Sequence, residues 1–172
     1  MDCYRKSAVE AFEKAETLVR AWLEEECITR VDVYLNGLGD VGDTRCRLTT
    51  DGERKSVHID RNAGSAINKL RGMQALPGRG AWFYSHLWME MPEGVLHQES
   101  DWMCEPDMGF DEVPLGSCKT ELDRYPRDQE FIPDWLRYKV ERWRLERGPV
   151  VARRVAHLEE EFRLEGGKYR YP

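Results

Sequence analysis

No uninterrupted apolar run in this 172-residue chain approaches the ~20 residues that a bilayer-spanning helix needs. The opening stretch, MDCYRKSAVEAFEKAE, has no apolar region of the kind a secretory signal carries, so no export signal is expected. The five cysteines, Cys3, Cys27, Cys46, Cys104 and Cys118, are odd in number, and none stands at Cys-x-x-Cys spacing. This predicts reduced thiols in a cytoplasm, not a disulfide framework. Positive charge is short as well. Only 26 Lys and Arg meet 32 Asp and Glu, for a net charge of −6. A nucleic-acid binder neutralises phosphates with a basic face, so that partner class is not expected, and neither is a membrane.

What is present argues for one folded domain over 1–172. The chain is 41% hydrophobic and holds six Trp, which opposes disorder despite 34% charged residues. At this length a domain hides roughly 70% of its unfolded surface and needs no metal or disulfide to fold. The charge is unevenly placed. Residues 1–92 carry 14 acids against 13 Lys and Arg, and residues 135–172 carry 6 against 10. Residues 93–134 carry 12 acids against 3 bases, a local balance of −9. Such a segment either solvates a long connection or faces a basic partner.

Periodicity predicts the elements. Val9, Phe12, Val19, Trp22 and Leu23 fall at helical spacing over about 6–26, with Ser7 and Glu10 at capping-box spacing. The period then becomes two in Arg30–Asn36, Thr44–Thr50 and Lys55–Asp60, each a strand with one wet face. A flexible loop is expected over Gly37–Asp43, and Asp51-Gly52 signals a hairpin. A second helix is predicted over about 62–75, capped by Asn62. Ala81–Met91 is apolar on both faces and suits a central strand, and Val95–Cys104 returns after Pro92-Glu93-Gly94. A turn centred on Glu93 would set His86 opposite Ser100 and His97 opposite Met89.

Residues 105–121 read as a loop. Pro133 suits the first position of a helix containing Leu136, Val140 and Trp143, Gly148-Pro149 is expected to break it, and Val151, Val155, Leu158 and Phe162 define a last one. The fold class is therefore α+β. An antiparallel sheet of about five strands, in the order α-β-β-β-α-β-β, packs helices on one side. Residues 1–136 form the core and 137–172 a C-terminal helical extension.

Chemistry is harder to place. The histidines His58, His86, His97 and His157 form no HxH or HExxH pair, so no metal is expected. Gly37-Leu38-Gly39-Asp40-Val41-Gly42 satisfies GxGxxG, but it runs into a strand where a phosphate cradle opens a helix, so no cofactor is expected. There is no GxSxG elbow. The acids Asp101, Glu105, Asp107, Asp111 and Glu112 are too many and too similar for acid–base work, which needs environments that push two pKa values apart. They suit recognition, plugging a cationic cleft on a partner, with the Trp and Tyr content supplying anchors. The basic residues Arg137, Lys139, Arg142, Arg144, Arg147, Arg153 and Arg154 form a solvated face or pair with the acidic loop.

Trp22-Leu23-Glu24, the Asp51-Gly52 turn, Leu70-Arg71, Gly80-Ala81-Trp82, Pro92-Glu93-Gly94, Tyr125-Pro126-Arg127 and Ile132-Pro133-Asp134-Trp135-Leu136 share an order with a known group. Over about residues 10–136 the chain resembles small cytoplasmic immunity proteins encoded beside polymorphic or secreted bacterial toxins. The nearest are the YezG-like family and the immunity factors of necrotizing-toxin-type NAD glycohydrolases. The resemblance implies a non-enzymatic antitoxin that binds and occludes the active site on the catalytic domain of a cognate toxin, an NAD-degrading one where the second group is the guide. The expected contact residues are Asp40, Asp43, Glu93, Asp101, Glu105, Asp107, Asp111 and Glu112. Two alternatives stay open. One is a small enzyme with a pocket on the aromatic hairpin and His86 or His97 as base, and the other is a subunit of a larger assembly.

Overall fold

A computed structural model describes residues 2–109 and 112–164. Its elements run α1 (Asp2–Glu25), β1 (Arg30–Leu38), β2 (Val41–Thr50), β3 (Glu53–Val57), α2 (Arg61–Met73), β4 (Tyr84–Glu90), β5 (Leu96–Asp101), α3 (Leu115–Arg124), a 3₁₀ turn (Gln129–Phe131) and α4 (Asp134–Leu164). The five strands form one antiparallel sheet in the order β3-β2-β1-β4-β5. The α+β class and its strand–helix order are as the periodicity predicts.

Alternation decides which side chains are inside. Val31, Val33 and Leu35 of β1, Cys46 of β2 and Leu87 and Met89 of β4 point to one face, where Ala15, Val19 and Leu23 of α1 and Ala63, Ile67 and Leu70 of α2 cover them. Each fully buried aliphatic side chain there contributes ~1.5–3 kcal/mol of hydrophobic stabilisation. A second core gathers Leu38, Phe83, Met108, Val113 and Cys118 with Leu136 and Val140 of α4, at the β1–β2 hairpin end of the sheet. Val140 is 3% exposed, so the expected boundary at 136/137 falls inside a core.

Several local expectations are corrected. Ser7 lies inside α1 and does not cap it. Gly37–Asp43 is no loose loop, because β1 and β2 pair through Leu38 and Val41, leaving a two-residue turn at Gly39-Asp40 with Gly39 at φ +58°. A Cβ on Gly39 would lie 2.4 Å from the Ser117 carbonyl oxygen, so the glycine lets α3 close on the hairpin. The cap of α2 is Asp60, whose carboxylate accepts from the Asn62 and Ala63 amides. Residues 105–109 and 112–114 do lack regular structure, but Leu115–Arg124 form α3. Its apolar positions are too few to show a period. α4 runs through Gly148-Pro149 without the expected break. The Asp51-Gly52 hairpin is as expected, with both residues at positive φ.

The correction with most consequence is the β4–β5 register. His86 faces Glu99 and Trp88 faces His97, one residue away from the expected pairing. Val95 and Leu96 compete for the inward position, and Leu96 takes it at 4% exposure while Val95 stays outside. A one-residue slip exchanges the two faces of a strand. It carries His97 off the helix-covered face, on to the side where His86 and Trp88 lie.

Candidate functional site

The face of the sheet turned away from α1 and α2 is covered only in part, by α3, α4 and the residues around Asp107, Met108 and Val113 at its Leu38 end. The registers arrange the rest as rows. Ser56, Arg47, Asp32, Trp88 and His97 form one row, and Arg45, Tyr34, His86 and Glu99 form the next. Within this grid the rings stack. Tyr34 and His86 lie 4.5 Å apart and within 8° of parallel. His86 continues to Trp88 at 4.9 Å, and Trp88 to His97 at 5.2 Å. The Arg47 guanidinium lies over the Tyr34 ring at 5.7 Å. Ring faces within the stack are thus turned on one another.

Under the stack is Asp32, a carboxylate only 1% exposed. It accepts from Arg30 through Nε at 2.9 Å and Nη2 at 2.8 Å, and pairs with His86 Nε2 at 2.9 Å. Arg54 Nη2 stands 3.5 Å from it and donates to the Tyr34 hydroxyl at 2.9 Å. The Arg30 hydrogen bonds hold the Asp32 carboxyl below the usual range, against the opposing pull of burial. Asp32 therefore ties down three side chains of the face at once.

Beside the stack is a groove of about 510 Å³ lined by Tyr34, Asn36, Arg45, Arg47, Tyr84, Asp101, Cys104, Glu105 and Asp107. Three of the expected contact acids, Asp101, Glu105 and Asp107, wall it. They are partly committed already. Asp101 accepts from the Met103 and Cys104 amides, and Asp107 from the Gly109 amide, with Arg45 at 3.4 Å. Glu105 and Glu112 both pair with Lys139, and Glu112 also with Arg142 at 2.7 Å. Burial opposes the Lys139 charge, but these two carboxylates outweigh it and raise its pKa. The basic helix thus pairs internally with the acidic segment, one of the two roles the sequence offered.

Of the remaining acids, Asp43 is tied to this group through Arg45 at 2.8 Å, and Asp40 and Glu93 are not. Asp40, at the β1–β2 tip, accepts from Ser117 at 2.8 Å. Glu93 sits at the β4–β5 turn, at the opposite end of the sheet, ~30 Å away by the nine-residue length of β1. Asp111 lies outside the described residues. The two hairpin tips therefore bound the open face from opposite ends and form no single patch.

The GxGxxG stretch is accounted for structurally. A Cβ on Gly37 would lie 2.6 Å from Arg71, whose side chain crosses there to reach Glu121. Glu121 is fully buried and accepts from Arg71 Nη2 at 2.7 and 2.8 Å and from the Gly39 amide at 2.7 Å. Arg127, with no exposed side-chain surface, stands 3.7 Å from it. Burial pulls Arg127 down to about 10, against the carboxylate beside it. This network pins the hairpin, α2 and α3 together. Three of the described thiols, Cys46, Cys104 and Cys118, sit in surroundings that suppress thiolate. Burial pushes Cys46 up to about 12 and Cys104 and Cys118 up to about 11. Among the described residues, no three His, Cys, Asp or Glu side chains converge as metal ligands, and no helix is long and apolar enough to cross a membrane.

Sequence reasoning singled out His86 and His97, in a register one residue off, and missed Asp32, Tyr34, Arg47, Arg71 and Glu121. A signal existed for the first two, which alternate with Val31, Val33 and Leu35 and so occupy the wet face of β1. None existed for Glu121, whose partners lie 50 and 82 residues away. No protein-family model matches the chain, and no curated protein matches it.

Proposed function

We propose that this chain is a stoichiometric protein-binding module whose docking surface is the open sheet face with its acidic wall. In the form implied by the sequence resemblance, the bound protein is the catalytic domain of a bacterial toxin, held occluded in the producing cell. The observation that supports this reading best is the Arg47–Tyr34–His86–Trp88–His97 stack. Its rings are immobilised before any partner arrives, so ordering them costs little on association. Trp, Tyr and Arg are also the residues that anchor tight interfaces. The wall of Asp101, Glu105 and Asp107 beside the stack suits a partner with a basic rim and speeds encounter with it.

A second reading rests on the His86–Asp32 pair, which has the form of a base oriented by a carboxylate. Growth rescue separates the two. Catalytic domains of NAD-glycohydrolase toxins are expressed one at a time in a bacterial host, with and without this chain. Rescue by the wild-type chain, with Trp88→Ala weakening binding about 30-fold, is the expected result for a central aromatic anchor. Rescue untouched by Trp88→Ala would refute the surface. No rescue of any toxin by the folded chain would refute the NAD-degrading assignment, and small-molecule turnover lost in His86→Ala would replace binding by catalysis.

A further inference from the structure

Asn36, on the floor of the groove beside the ring stack, has only half of its side chain paired. It is 8% exposed and lines the groove. Its Oδ1 accepts the Asp107 amide at 3.2 Å, which fixes the orientation of the side-chain amide. Its Nδ2 has no acceptor among the described residues. A buried donor is destabilising unless an acceptor reaches it. The floor of the groove therefore calls for an acceptor oxygen from a guest.

Tyr84 stands next to it. The registers set Asn36, Tyr84 and Asp101 side by side in one row, with Asn36 and Asp101 two strand spacings apart, ~10 Å at the backbone. The other tyrosine of the groove, Tyr34, already has His86 and Arg47 on its ring and Arg54 on its hydroxyl. No described ring or guanidinium lies against Tyr84. Beyond Tyr84, two carboxylates keep an oxygen in reserve. Asp101 uses Oδ1 for the Met103 and Cys104 amides, and Glu105 meets Lys139 through Oε1. Asp101 Oδ2 and Glu105 Oε2 take no part in these contacts. Asp107 differs, with one oxygen on the Gly109 amide and the other facing Arg45.

Across the sheet the groove thus offers a donor without an acceptor, an unstacked ring and two carboxylate oxygens. A guest that answers all three has a carbonyl oxygen at one end and a planar cation at the other. An arginine residue is such a guest. Its guanidinium can lie flat on a ring while its in-plane N–H groups reach two carboxylates. A lysine ammonium has no face to lay on the ring and is more strongly hydrated. Arg45 and Arg47 on the opposite wall fix the direction, because they repel a cation and favour the carbonyl on their side. The volume of about 510 Å³ admits one such residue with its adjoining main chain.

We propose that this groove is the recognition pocket for one arginine of the bound protein. The guanidinium lies over Tyr84 between Asp101 and Glu105, and the main-chain carbonyl accepts from Asn36 Nδ2. This rests on the docking surface proposed above and adds the residue that the partner presents to it.

Titration of the full isotope-labelled chain with Nα-acetyl-L-arginine amide, followed by NMR, tests the pocket. It needs no toxin, so its failure is separate from a failure of growth rescue. A dissociation constant of about a millimolar is expected for a guest of this size. The Asn36 side-chain amide and the Tyr84 backbone amide should be among the signals that move. Asp101→Asn keeps the oxygen that caps Met103 and Cys104 but removes the charge, and it should weaken binding at least fivefold, as should Tyr84→Leu. The lysine analogue should bind the wild type at least fivefold more weakly, and Glu93→Gln, at the distant turn, should change nothing. No saturation of the folded wild type by ~20 mM, equal binding of the lysine analogue, or a constant unmoved by Asp101→Asn would overturn the proposal. Binding of free L-arginine without binding of the blocked amide would overturn it too, because the guest would then be an amino acid and not a protein side chain.

Discussion

Removing the carboxylate of Glu121 tests how the two halves of the molecule are joined. Glu121 is fully buried, its partner Arg71 has 11% of its side chain exposed, and Arg127 has none. Glu121→Ala leaves two guanidiniums without their counter-charge and the Gly39 amide without its acceptor. Breaking a buried ion pair by deleting one member costs about 3–5 kcal/mol, and an orphaned buried donor about 1–3 kcal/mol. The losses overlap because they share one side chain, so a total of about 4–6 kcal/mol is expected. Against a stability of ~5–15 kcal/mol this is a large share. At ~2–4 °C per kcal/mol for a domain of this size, the melting temperature should fall by about 10–20 °C. Urea titration followed by circular dichroism reads the change in midpoint. Glu53→Gln serves as the exposed control, since its pair with Lys55 is worth ~0–1 kcal/mol. The double variant Arg71→Met/Glu121→Leu should recover part of the loss, because no unpaired charge remains at that pair. A Glu121→Ala chain within 1 kcal/mol of wild type would refute the view that this network is dry and holds the hairpin, α2 and α3 together.

Two further outcomes follow from the same electrostatics. The Asp32 pKa is lowered in the fold, so its contribution to stability is complete above its unfolded value near 3.9 and is lost as pH falls through the folded value. Asp32→Asn should therefore lower the melting temperature at pH 7 and flatten the acid limb of a melting-temperature–pH curve below about pH 4. An unchanged acid limb would show that Asp32 is not held ionised by Arg30. Among the described thiols, Cys27 is exposed while Cys46 and Cys118 are buried with raised pKa values. Titration with a chromogenic disulfide at pH 8 should modify Cys27 within minutes and reach Cys46 and Cys118 only in denaturant. Rapid modification of Cys46 in the native chain would contradict its place beneath the helices.

The α+β class, the strand count, the Asp51-Gly52 hairpin and the inward set Val31, Val33 and Leu35 were legible from residue order alone. Each rests on a local period or on turn chemistry that acts within a few residues. The acidic segment was legible as composition, but its partners were not, because Arg45 and Lys139 reach it from positions 62 and 34 residues away. The candidate surface depended on one register. Choosing Leu96 over Val95 for the core is a packing decision made against Met89 and the α1 helix, and it alone brings His97 to Trp88. The same holds for Glu121, whose neighbours in sequence give no sign that it is inside. Local patterning determined which segments fold and which of their faces are apolar. Only the closing of α3 on the β1–β2 hairpin and the pairing of β4 with β5 decided which polar side chains meet, since both are contacts between residues far apart in the chain.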